Sequence, residues 1–271
     1  MPYIKFKYIS IIIFQFFIFS LNAQVSQSDS IELEKYRIEG EKIWDSICTA
    51  ETKRAKEEIS KGKLTYVIIK GMVKMYESDA ELKSILKKYK IETTAQGIFC
   101  TAPSDKQYCY GGLMYEEIKR KFGEDFIDEK RDEAEKKYIN NHINQIFLSS
   151  ECDRNHSIYP LAKDLDDFLE RYGKDYFKNF VYPKDYIHRK KDDLYSWTTV
   201  YFILTQNGEI TKLKVESSFR QSYNQKFAKE FNRKAKEFVK NIQWIPNKKR
   251  GITVNSQESI TFMYDHEDWE R

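Results

Sequence analysis

Four cysteines and four histidines are the side chains in these 271 residues best suited to nucleophilic, redox or metal chemistry. Their spacing argues against most of it. His142, His156, His188 and His266 are scattered, and no HExxH, GxSxG, P-loop or GxGxxG pattern accompanies them. Each histidine reads as an ordinary surface residue. Cys48, Cys100, Cys109 and Cys152 form no CxxC pair and have no neighbouring His pair, so zinc is not expected. An even cysteine count offers disulfide chemistry instead. Cys100 and Cys109 flank a polar loop that contains Pro103, Ser104 and Asp105. They are expected to pair, leaving Cys48 for Cys152. Closing a loop of about 10 residues is worth roughly 2–3 kcal/mol in the chain-entropy account.

The carboxylates are no more specific. Asp164-Leu165-Asp166-Asp167 has the look of a calcium loop, but the sixth and twelfth positions of such a loop need Gly and Glu. Here they hold Leu169 and Asp175. Acidic residues in a helix's first turn favour its dipole, and that is the simpler reading. Tyr172, Tyr176, Phe177, Phe180, Tyr182, Tyr186 and Tyr195 lie among Lys and Arg residues. Such a mix can stack bases or sugars, but aromatics of this density usually build core. No cofactor, no metal and no nucleic acid is expected.

The elements that carry these residues are legible from charge and periodicity. The net charge is +4 and charged residues make 32% of the chain, which describes a folded, well-solvated protein. Lys5 and Lys7 precede the apolar run Ile9 to Leu21, and Leu21-Asn22-Ala23 offers a cleavage site. That is the pattern of a secretory signal peptide over 1–23, shorter than the ~20 apolar residues of a membrane span. Residues 24–150 read as a mostly helical domain with disulfide-bonded cysteines. A helix is expected from Ser30 to Ser60, with Tyr36, Gly40, Ile43, Trp44, Ile47 and Cys48 on one side. Leu64 to Ile69 is either a strand or the start of a helix. Asp79 caps a helix with Leu82, Ile85, Leu86 and Tyr89 inward, Ile91 to Thr94 reads as a short strand, and two more helices follow Gly111-Gly112.

A second domain is expected over 155–271. Trp197 to Leu204 and Ile210 to Ser218 are strand-like runs joined through Gln206-Asn207-Gly208. Asn-Gly between such runs predicts a hairpin in which both turn residues take positive φ. Phe227, Phe231, Ala235, Phe238 and Ile242 are spaced by three or four and form one helical stripe. Trp244-Ile245-Pro246 stops that helix, Gly251 turns the chain, and Ile260, Phe262 and Tyr264 alternate in a last strand. The fold class is α+β: a mostly helical N-terminal domain, then a small domain with an antiparallel sheet built from a hairpin, a helix and a terminal strand.

This series resembles the TonB C-terminal domain family. The residues that carry the likeness are Tyr182-Pro183, Gly208 before Glu209-Ile210, Val215 to Ser218, Trp244-x-Pro246, Gly251 and the terminal strand, about 159–264 in all. The family often has Pro two residues after the last glycine; here it is Thr253. The resemblance implies an edge strand that pairs with an extended segment of an outer-membrane receptor. By position that edge is Ser259, Ile260, Thr261, Phe262 and Met263. A TonB energy transducer also has an anchoring helix and a Pro-rich spacer, whereas this chain has five prolines and no Pro-rich run.

The expectation is therefore an exported, non-enzymatic protein of the periplasm or cell surroundings that binds a protein partner at the envelope. The edge could instead be covered by the N-terminal domain or by a second copy of the chain in a homodimer. Two alternatives stand beside it: an inner-membrane-anchored energy transducer for outer-membrane transport, and a hydrolase or glycan-acting enzyme in the N-terminal domain, supported only by generic carboxylates.

Overall fold

The computed structural model describes residues 32, 34–71, 76–98, 103–154 and 157–267. The expected signal peptide, Ser30 and Cys100 lie outside them. The fold is α+β, and it divides into two compact units, 1–131 and 132–271.

The first unit opens with helix α1, over 34–60. It stops where the sequence breaks it: Gly62 N–H bonds the Ile59 carbonyl and Lys63 N–H reaches back to Glu58, a pairing that satisfies the last carbonyls of a helix. The apolar residues of its first half are not covered, for Tyr36 is 63% exposed and Ile43 60%. Its last turns are covered, and Ala55 packs with Val67, Tyr110 and Met114.

Strand β1 (Leu64–Lys70), helix α2 (Asp79–Lys87) and strand β2 (Ile91–Gly97) follow. The two strands pair in parallel, from Leu64 opposite Ile91 to Lys70 opposite Gly97. Parallel strands need a crossover connection, and α2 lies within it, burying Leu82, Ile85 and Leu86. The ambiguous run at 64–69 is thus a strand. Helix α3 (Cys109–Phe122) buries Tyr110, Met114 and Ile118. Helix α4 spans Phe126–Asn141, with the division between units falling inside it.

The second unit contains strand β3 (Ile146–Leu148), helix α5 (Leu165–Phe177), strands β4 (Ser196–Leu204) and β5 (Ile210–Ser218), and helix α6 (Ala228–Asn241). The short strands β6 (Lys248–Lys249) and β7 (Ile252–Thr253) form a small hairpin before β8 (Asn255–Tyr264). The main sheet runs in the order β3-β8-β4-β5. β4 is central and antiparallel to both neighbours. The short β3 lies parallel to β8, so the sheet is mixed rather than wholly antiparallel.

The core follows from the alternation. Val200, Phe202, Leu204, Ile260, Phe262 and Tyr264 from the sheet meet Phe231, Ala235 and Val239 of α6 and Phe168, Tyr172, Tyr176 and Phe177 of α5. The aromatic run is therefore core: Tyr176 lies 4.0 Å from Phe262 and Phe231 4.5 Å from Tyr264, ring centre to ring centre. Tyr195 is the exception, lying beneath the Arg189 guanidinium at 4.1 Å. The aspartates at 164–167 cap α5. The Asp164 carboxylate accepts from Asp167 N–H, and the Asp167 carboxylate accepts from Lys163 N–H.

Two turns exchange the roles their sequences suggest. At 205–209 the Gly208 N–H bonds the Thr205 carbonyl and Thr205 N–H bonds Glu209. Only Gly208 has positive φ there, +82°, and Asn207 does not. This is the three-residue hairpin loop that ends on a left-handed glycine. The two-residue turn with both φ positive is Arg250-Gly251, at +51° and +76°, between the paired Lys249 and Ile252. The carboxylate of Asp153 accepts from both of its N–H groups and holds it.

Candidate partner-binding edge

β4 is paired with β8 along its full length, from Ser196 opposite Tyr264 to Leu204 opposite Ser256. On its other side β8 is covered by β3 only at Asn255, Ser256 and Gln257. Beyond that point no strand among the described residues pairs with it. β8 is thus an edge over part of its length, because β3 takes its start, and the five expected residues lie beyond that cover. Within it the five residues divide by side. Ile260 and Phe262 are buried at 2% and 0% and belong to the core. Ser259 is exposed, and Thr261 and Met263 are half-buried on the other face.

The backbone direction follows from one hydrogen bond. The Thr261 carbonyl accepts from the Tyr172 hydroxyl at 2.8 Å, so it points away from β4. Strand groups alternate with a period of two. The N–H and C=O groups of Ser259, Thr261 and Met263 therefore face outward, and those of Ile260 and Phe262 complete the ladder to β4. Burial pushes the Tyr172 phenol up to about 12, so at neutral pH it is protonated and donates. Across the strand pair, the hydroxyls of Thr199 and Thr261 are 2.8 Å apart and tie β4 to β8 at mid-edge. An edge of this kind offers a row of donors and acceptors to an extended chain.

The other residues singled out in the sequence support the sheet from behind. Gly208, Trp244 and Pro246 converge: a Cβ at 208 would meet the Trp244 carbonyl at 2.9 Å and the Pro246 ring at 3.8 Å. The Trp244 indole N–H donates to the Val239 carbonyl, which fixes its ring under the end of α6. The Tyr182 hydroxyl accepts from Asp265 N–H just past the end of β8, and the Pro183 carbonyl accepts from Tyr186 N–H. Gly251 makes the β6–β7 turn described above.

The cysteine pairing inferred from loop length is overturned. Cys109 is bonded to Cys48, 61 residues away, with the Cα atoms 5.3 Å apart. The bond ties α1 to the first residue of α3. Cys152 is a free, buried thiol among Ile139, Phe147 and Val254. Burial, and then the Glu258 carboxylate, push that thiol up to about 12.

Two polar clusters had no sequence signal. In the first unit Asp79 does not serve as the helix cap; Ser78 stands at that place. The Asp79 carboxylate instead takes hydrogen bonds from Lys70 and, at 2.9 Å, from Arg131. Burial raises this carboxyl, but the two cations outweigh that and hold it below the ordinary Asp range. In the second unit Asp265 accepts from Arg189 N–H at 2.8 Å and pairs with the His188 ring. Arg189 in turn reaches Glu267 and three carbonyls of its own loop. Both clusters join residues about 50–80 positions apart, which local pattern cannot show. His142 stacks on Tyr138 and His266 on Tyr195; His156 lies outside the described residues. No three His, Cys, Asp or Glu side chains among the described residues are grouped to hold a metal ion. No helix among them is long and apolar enough to cross a membrane.

Comparison with known protein families, with curated proteins and with solved structures finds no match to this chain.

Proposed function

We propose that this is an exported, non-enzymatic binding protein of the cell envelope, of TonB C-terminal-like type, which captures an extended protein segment along β8 at Ser259 to Met263. The observation that supports this reading most is the length of β8 left unpaired beyond β3, with its outward groups at 259, 261 and 263. Strand addition draws affinity from those backbone groups. It draws selectivity from the alternate side chains beside them. The exposed Ser259 and half-buried Met263 flank the edge and would read the partner. The compartment follows from the signal-peptide pattern of 1–23, and the partner class, a segment of an outer-membrane receptor, from the resemblance.

The test is affinity purification from an envelope extract with the full chain and its Thr261→Pro variant. Proline at 261 removes an outward N–H and leaves the β4 ladder intact, a substitution edge strands tolerate. A partner retained by the wild type and lost with the variant is the expected result. Equal retention by both would count against the reading. So would a wild-type chain that elutes as a dimer and a variant that elutes as a monomer, since that assigns the edge to a second copy.

A further inference from the structure

The sheet has a second open side. β5 is its last strand, and no strand among the described residues pairs with its outer edge. Along 208–213 that edge and the C-terminal half of α6 enclose a groove of about 540 Å³. Its apolar lining comes from Ile210, Leu213 and Ile242, and its charge from Lys212, Lys236 and Lys240 against Glu209.

The three lysines are placed there by two separate elements. Between Tyr201 opposite Lys214 and Ile203 opposite Thr211, β5 carries one residue more than β4. Lys212, with φ +50°, lies in that bulge, and a bulge re-aims the side chains it carries. Lys236 and Lys240 stand four apart on α6 and so share one face, in line with Asn232, which hydrogen-bonds Ser217 of β5. The neighbouring cations Lys214 and Lys234 are ion-paired with Glu216 and Glu230. Lys212, Lys236 and Lys240 have no carboxylate within 4.0 Å among the described residues, and all three are exposed.

We infer that this groove is a docking site for an acidic extended peptide, which adds to the outer edge of β5 and lays alternate Asp or Glu side chains against Lys212, Lys236 and Lys240. Lysines on an edge strand alone would only discourage pairing between copies. Lysines contributed by a second element to the same groove do more: they repel a like-charged edge and attract an acidic one. The intervening side chains of such a peptide lie on the opposite face of the sheet. The site is independent of the β8 edge, since β4 lies between the two strands.

The test uses the full chain and two fluorescein-labelled peptides of about eight residues, long enough to run along a strand. One alternates Glu with Val and the other Lys with Val. Fluorescence anisotropy is expected to show saturable binding of the Glu peptide and none of the Lys peptide. Binding should weaken as salt rises from about 0.05 M to about 0.5 M. It should fall at least about tenfold in Lys236→Glu/Lys240→Glu, whose exposed positions leave the melting temperature in place. Backbone amide shifts should fall on 208–213, and Thr261→Pro should bind as the wild type does. Failure of the Glu peptide to bind, equal binding of both peptides, or indifference to the charge reversal would overturn the proposal. So would loss of binding in Thr261→Pro, which would place the peptide on β8, or equal competition by inorganic tripolyphosphate, which would make the groove a general anion site.

Discussion

Gly208 lies against the backbone of Trp244: a Cβ at 208 would stand 2.9 Å from the Trp244 carbonyl oxygen, and Gly208 holds φ at +82°. Two residues 36 positions apart thereby lock the β4–β5 hairpin to the segment that leaves α6. Gly208→Ala meets both a left-handed backbone and a backbone clash. It is expected to cost about 2–4 kcal/mol. Gly251 has a similar φ, +76°, with nothing within 4 Å of a Cβ, so Gly251→Ala should cost only about 1–2 kcal/mol. Chemical denaturation of both variants checks the difference. Equal costs would mean that the close approach to Trp244 carries no weight.

The Cys48–Cys109 bond closes a loop of 61 residues in sequence separation. Its reduction is expected to lower the stability of the first unit by roughly 4 kcal/mol in the chain-entropy account. Non-reducing peptide mapping should return the 48–109 pair. Cys152 should resist iodoacetamide at about pH 8 until the chain unfolds, because its thiol is buried and held protonated. A 100–109 pair, or rapid labelling of native Cys152, would contradict the structure.

Asp79 makes stability depend on acid. Its folded carboxyl lies below the ordinary value of 3.8. Its contribution is therefore complete above the unfolded value and is lost as pH falls through the depressed folded one. At neutral pH Asp79→Asn should cost about 2–3 kcal/mol, since it leaves Arg131, 11% exposed, without its charge partner. Below the depressed folded value the variant and wild type should converge. Denaturation curves at the two pH values check this, and a constant gap would show that the carboxylate charge is not what matters.

Tyr172 holds the place on the Thr261 carbonyl that an incoming strand's N–H would take. Tyr172→Phe removes that competitor. It is expected to cost the free protein about 1 kcal/mol and to tighten partner binding by several-fold, at most about tenfold. Isothermal titration with the purified partner checks the direction. Weaker binding in the variant would mean that the hydroxyl belongs to the bound arrangement.

Periodicity made β4, β5, α6 and β8 legible, because period two and period 3.6 differ within a few residues. The alternation at Ile260, Phe262 and Tyr264 even showed which side of β8 enters the core. Partners distant in sequence were not legible. Nothing local tells Leu64–Lys70 that it will pair with Ile91–Gly97, or Ile146–Leu148 that it will cover the start of β8. For the same reason loop length points Cys109 to the nearer Cys100 rather than to Cys48. Turn chemistry is legible in part. Asn207-Gly208 and Arg250-Gly251 both mark hairpins, but the two-residue turn with both φ positive formed at the second. There the carboxylate of Asp153 accepts from both turn N–H groups.

The most direct test of the binding edge places a photo-crosslinking amino acid at Ser259, beside the unpaired stretch of β8, and in a separate chain at Arg233, on the exposed face of α6. Both chains are irradiated in an envelope extract, with and without Thr261→Pro. An adduct from position 259 is expected that maps to one extended segment of a partner protein, is absent from position 233, and disappears with Thr261→Pro while the variant keeps the folded circular-dichroism spectrum of the wild type. The same adduct from both positions, or an adduct at 259 undiminished by proline at 261, would contradict the proposed edge.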